Sequence, residues 1–153
     1  MKLVLIRHGE TVFNREERMQ GTRDIELSDC GRSEAVELGK ALRQEGILPR
    51  CIYTSPVKRA RDTAHLLGFD VPVECVPGLR ARGLGELEGM TKTEIRSRYP
   101  GAYEHLVHWD FYPPGGKECL RDLFQRAGQD IEHLALSTPN FNKRAKITPP
   151  FFR

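Results

Sequence analysis

A histidine set between an arginine and a glycine, directly after an aliphatic run, is where this 153-residue chain first offers chemistry: Leu3-Val4-Leu5-Ile6 leads into Arg7-His8-Gly9-Glu10-Thr11. A neutral imidazole nitrogen can accept a phosphoryl group when the other ring nitrogen is fixed by a hydrogen bond. A glycine after the histidine lets the backbone approach a bound group, and Arg7 can hold phosphate oxygens through charge-assisted hydrogen bonds. Taken alone, the tripeptide fits a surface or packing histidine better than a catalytic one. The four cysteines, Cys30, Cys51, Cys75 and Cys119, form no Cys-x-x-Cys or Cys/His pair that would suggest zinc, and read as scattered free thiols.

The elements that must position His8 follow from the pattern around it. Lys2 to Ile6 predicts a short strand buried on both faces of a parallel sheet, with His8 at its C-terminal end, where open α/β sheets place their ligands. Ser28 predicts the cap of a helix carrying Ala35, Leu38 and Leu42, stopped at Gly46. Cys51 to Thr54 predicts a second strand. Ser55-Pro56 then predicts a cap and first turn for a helix through Val57, Ala60, Ala64 and Leu67, and Val71 to Cys75 a third strand. The alternation implies an α/β fold with a mostly parallel sheet and flanking helices in three layers. Thr91 and Glu94 form a capping-box pattern, and Glu118 to Leu134 carries an apolar stripe at helical spacing.

The composition, 39% hydrophobic and 29% charged, suits one soluble globular domain. The aliphatic run is too short for a membrane span or a secretory signal, so the expected compartment is the cytoplasm. The net charge of +3 is carried at one end. Lys143, Arg144, Lys146 and Arg153 stand without an acid after Asn140, and the other 20 basic residues face 21 acidic ones, a net −1. No basic face with interleaved aromatics marks a nucleic-acid binder.

The longer pattern closely resembles the signature of the histidine phosphatase superfamily, which includes the cofactor-dependent phosphoglycerate mutases. Its blocks are Leu5-Ile6-Arg7-His8-Gly9-Glu10-Thr11 with Asn14, Gln20-Gly21 with Asp24, Leu27-Ser28 and Gly31, Thr54-Ser55-Pro56 with Arg59-Ala60 and Thr63-Ala64, Leu84 to Gly89, and Pro114-Gly115-Gly116. The resemblance implies a phosphoglycerate mutase-like fold with His8 as nucleophile and Arg7 and Arg59 on the phosphate. Two guanidiniums would neutralise charge as the phosphoryl group moves. Asn14 resembles a substrate-binding position, and Gln20 and Gly21 the lining of the pocket mouth. A turn-forming asparagine and a turn glycine are the alternatives for these. His65, His105, His108 and His133 match no catalytic block. No cofactor or metal is implied, because arginines handle the charge; the expected partner is a small phosphorylated molecule or phosphate.

Two departures bear on activity. Where many members carry a general-acid glutamate, this chain reads Leu79-Arg80-Ala81-Arg82; Glu86 and Glu88 are near, but the resemblance places them in a structural loop. The family's second histidine, at the end of a later strand, has no counterpart, since no histidine follows His133. Residues 1–136 therefore read as an incomplete domain lacking its C-terminal strand. Residues 137–153, with Pro139, Pro149 and Pro150, read as an irregular basic tail. Three functions stay open: a phosphomonoesterase working through a phosphohistidine on His8, a phosphoglycerate mutase, and a non-catalytic phospholigand-binding protein. The short stretch between Gly89 and the Pro-Gly-Gly block favours the first over the second.

Overall fold

Ile52-Tyr53-Thr54 and Val73-Glu74-Cys75, rich in β-branched and aromatic side chains, pair as parallel strands β1 (Ile52–Thr54) and β2 (Val73–Cys75) in a computed structural model describing residues 3–137. The register sets Ile52 against Val73, Tyr53 against Glu74 and Thr54 against Cys75. The crossover between them is helix α3 (Lys58–Leu66), giving a β-α-β unit. Helix α2 (Asp29–Gln44) packs on α3, and their contact is close because Gly39 has no side chain. A Cβ there would lie 2.1 Å from the Leu67 carbonyl oxygen. The result is an α/β fold, a parallel sheet flanked by helices.

The caps explain the helix boundaries. Ser28 caps α2, its hydroxyl accepting from Gly31 N at 3.1 Å. Before it, α1 (Val12–Arg15) starts at Thr11, a fully buried residue. Thr91 and Glu94 close a reciprocal capping box on α4 (Lys92–Arg98). The short α5 (Ala102–His105) and two 3₁₀ turns, Pro77–Leu79 and Gly85–Leu87, lead to the long α6 (Leu120–Ser137). A core of Leu84, Leu87, Ile95, Ala102 and Leu106 sits under α4 and α5, bordered by Met19, Met90, Tyr99, Tyr103 and Phe111.

Three expectations are corrected. Leu3 to Ile6 pair with no strand among the described residues and are 38 to 59% exposed. A two-face-buried strand is defined by its neighbours, and its aliphatic composition cannot supply them. Helix α3 begins at Lys58 with Val57, not Ser55, in the cap position, because Asp24 reaches across from another loop and accepts from Lys58 N at 2.8 Å. Finally, α6 starts two residues later than its stripe suggests and runs to Ser137, so Ser137 is helical; the expected tail at 138–153 lies outside the described residues. No helix among the described residues is long and apolar enough to cross a membrane.

Candidate active site

Gly9 and Gly31 are why the loop after Ile6 can lie against α2. A Cβ on Gly9 would sit 2.3 Å from the Gly31 carbonyl oxygen, and one on Gly31 2.0 Å from that of Glu10. Only two glycines permit this approach. Glu10 then fastens the loop: its carbonyl accepts from Ser28 N at 2.9 Å, and its carboxylate from the Ser28 hydroxyl at 2.6 Å.

His8, half-buried above this contact, has both ring nitrogens committed. Nδ1 lies 2.8 Å from the Gly9 carbonyl, which can only accept, so Nδ1 carries the proton. Nε2 then presents its lone pair, and Arg59 Nε donates to it at 3.2 Å. Burial is the largest influence on this ring and lowers its pKa below the usual value. The Gly9 carbonyl opposes that, while the charges of Arg59 and Arg7 reinforce it. The neutral form, which a nucleophile requires, is the favoured one.

Arg59 is only 3% exposed. Its Nη1 donates to Arg23 O and its Nη2 to Gly21 O, both at 2.9 Å, so three donors leave the guanidinium in three directions. Burial lowers its pKa, countered by Asp24 and Glu88, and a guanidinium remains cationic through such a shift. Arg7 is exposed and has no hydrogen bond or ion pair among the described residues, so its guanidinium is available to a ligand beside His8.

The remaining predicted residues divide. Asn14 Oδ1 accepts from Thr11 N at 3.0 Å and Thr11 Oγ1 at 2.9 Å, which makes it the far half of the α1 capping box; its amide donors remain for other use. Gly21 adopts φ +51° and supplies a carbonyl to Arg59, and a Cβ on it would strike Glu88. Gln20 Oε1 is buried without a partner among the described residues. Glu88 holds loop backbone, accepting from Thr22 N at 2.9 Å and Leu84 N at 3.0 Å, and Glu86 accepts from the Tyr99 hydroxyl. Sequence reasoning missed the roles of Asp24 and Thr63, which it met only as motif letters. Thr63 stands one helical turn after Arg59, a spacing that signals a shared face.

The fold is that of an α/β protein with a parallel sheet flanked by helices, and at the end of an aliphatic segment it holds a histidine against an arginine. The chain belongs to the histidine phosphatase superfamily (branch 1), which it matches over residues 3–142. It is 34% identical to a metal-independent phosphoserine phosphatase of Arabidopsis thaliana, aligning over 88% of this chain and 58% of that protein. It is also 34% identical to a 2,3-bisphosphoglycerate-dependent phosphoglycerate mutase of Staphylococcus saprophyticus, over 87% of this chain and 61% of that one. A mycobacterial glucosyl-3-phosphoglycerate phosphatase solved with VO3 superposes with a TM-score of 0.80 at 34% identity, covering 88% of this chain and 67% of that structure. The chain spans about 60% of the length of the curated relatives it matches.

Proposed function

We propose that this chain is a phosphomonoesterase that works through a phosphohistidine on His8, with Arg7 and Arg59 holding the transferred group and Asn14, Gln20 and Gly21 lining the site. The observation that carries the reading is the pair of bonds on one ring: Nδ1–H on the Gly9 carbonyl and Nε2 aimed at Arg59, 3.2 Å away. A phosphate monoester would draw the Arg59 donor onto its own oxygens and uncover the Nε2 lone pair. Nε2 then attacks phosphorus, the P–O bond to the alcohol breaks, and the alkoxide takes a proton from water, since Ala81 has none to give. In the second half a water attacks the phosphohistidine, the N–P bond breaks, and inorganic phosphate leaves. His8 returns to its neutral form with Nδ1–H intact.

The 90–113 stretch is short for covering and retaining a phosphoryl group between substrates, which supports hydrolysis over mutase chemistry. Ala81 supports a second reading, a phospholigand-binding protein with little turnover, because losing a positioned general acid costs roughly 10²- to 10⁴-fold. Brief incubation with a ³²P-labelled phosphate monoester separates them. Acid-labile, base-stable label on the protein, lost in His8→Ala, is the expected result; equal label on His8→Ala would refute the assignment, and binding without label would favour the second reading.

A further inference from the structure

Thr63 is 4% exposed, on the face of α3 that carries Arg59, and its hydroxyl has two partners. It donates to the Arg59 carbonyl at 2.7 Å and accepts the Gly9 N–H at 3.1 Å. Joined to the bonds already described, these close a circuit: Arg59 Nε–H to His8 Nε2, His8 Nδ1–H to the Gly9 carbonyl, Gly9 N–H to Thr63 Oγ1, and Thr63 O–H back to the Arg59 carbonyl. Every donor in it points the same way around. The two bonds that share the His8 imidazole polarise one another, as do the two that share the Thr63 hydroxyl, more strongly where water is excluded.

We infer that Thr63 is a positioning residue for the reaction proposed on His8, anchoring the backbone at Gly9 so that the Gly9 carbonyl selects the Nδ1–H tautomer and leaves Nε2 as the nucleophile. The consequence for catalysis rests on the phosphohistidine reading; the positioning of the ring rests on the geometry alone. Gly9 is the residue through which the loop side of this circuit joins the ring to α3. Its carbonyl orients His8 only as well as its own N–H is anchored, and a buried N–H needs a partner. Thr63 is that partner. The Thr63 hydroxyl also ties the loop to the same turn that carries Arg59, so nucleophile and guanidinium are held by one element and move together. A valine has the shape of threonine without the hydroxyl, and would leave the Gly9 N–H unpaired and the Arg59 carbonyl with one donor fewer.

The test reads the His8 ring directly. ¹⁵N chemical shifts distinguish the two neutral tautomers, and single-turnover labelling gives the phosphorylation rate. In the unaltered chain the ring is expected to be protonated on Nδ1. Thr63→Val should populate the Nε2–H tautomer and slow phosphorylation, by up to about 10²-fold if the ring is displaced by as much as 1 Å. Thr63→Ser should restore both. An unchanged tautomer in Thr63→Val overturns the inference whether or not the chain is phosphorylated, as does a serine variant that behaves like valine. If the unaltered chain takes up no phosphate while the valine variant still shifts the tautomer, the phosphatase reading falls and the role of Thr63 on His8 stands. Should Thr63→Val not fold, the unaltered chain decides: a slowly exchanging Gly9 amide beside an Nδ1-protonated ring upholds the circuit, and an Nε2-protonated ring or a freely exchanging Gly9 amide overturns it.

Discussion

Arg126 grips Glu118 with two parallel bonds, Nε to Oε1 at 2.9 Å and Nη2 to Oε2 at 3.0 Å. Glu118 is 7% exposed, and Arg80 binds its far side at 3.0 and 3.2 Å. Arg126 Nη1 meanwhile donates to the carbonyls of Gly78 and Arg80. One carboxylate therefore ties α6 to the Pro77–Arg82 segment. The other ties of α6 are near the surface: none of its residues is fully buried, Arg121 pairs with the exposed Asp110, and Phe124, itself exposed, packs against Trp109.

Glu118→Ala should therefore loosen this corner of the molecule. Both arginines retain some contact with water, so the cost falls short of that for a fully buried pair; about 1–3 kcal/mol is expected for leaving the charged donors without their acceptor. Urea unfolding, read by its midpoint at unchanged slope, measures it. A shift near zero would mean water replaces the carboxylate.

The pH dependence follows from His8. Its pKa is lowered in the folded chain, mainly by burial, so the unfolded chain takes up the proton first as pH falls below about 6.5. The stability linked to His8 is then fully present above that pH and is lost on acidification towards the depressed folded value. Between pH 7.5 and 5.5 the unaltered chain should lose more stability than His8→Gln, which cannot titrate there. The acid limb of the phosphorylation rate should lie below 6.5, because the neutral ring is the nucleophile. An acid limb at or above 6.5 would contradict the lowered pKa of the ring, and the absence of any acid limb would contradict the neutral-ring mechanism.

Asn14 offers a separable test of two roles. Its Oδ1 completes the α1 capping box with Thr11, while a substrate contact would use its amide N–H groups. Asn14→Asp keeps an acceptor for Thr11 and removes the donors. If Asn14 also binds the phosphorylated ligand, this variant should unfold within about 0.5 kcal/mol of the original yet show a raised KM, as a carboxylate repels phosphate. Asn14→Ala should lose about 0.5–2 kcal/mol through the cap alone. An unaltered KM in Asn14→Asp would confine the residue to capping.

What could be read ahead of the structure was local. Ser28 three residues before Gly31, and Thr91 three before Glu94, are patterns complete within one turn, and both caps form. The candidate site needed more. His8 and Arg59 are 51 positions apart, and only the family resemblance suggested bringing them together, as their 3.2 Å contact does. Where a distant residue intervened, the local pattern misled: Asp24, 34 positions away, takes the cap role that Ser55 promised, and the Ser55 hydroxyl is left buried without a partner among the described residues. Leu3 to Ile6 misled in the opposite sense, since an aliphatic run states a demand for burial and says nothing of the strands that would meet it.

Ala81 stands where the resemblance puts a proton donor, so restoring one should raise turnover selectively. The benefit depends on the leaving group. An aliphatic alkoxide needs a proton as the P–O bond breaks, whereas a nitrophenolate leaves without one. Ala81→Glu should therefore accelerate hydrolysis of an alkyl phosphate by about 10²-fold or more and barely change that of p-nitrophenyl phosphate. The surroundings add a pH signature. Arg80 and Arg82 flank the position, and Arg82 is half-buried, its Nη1 atom enclosed and lacking a partner among the described residues. Cations on both sides would hold the new carboxyl ionised. Its proton would be available mainly at low pH, so the gain on alkyl phosphates should be larger at pH 5 than at pH 8. Steady-state rates for the two substrates at both pH values check this, and equal gains on both substrates would show that the glutamate acts by some route other than protonating the leaving oxygen.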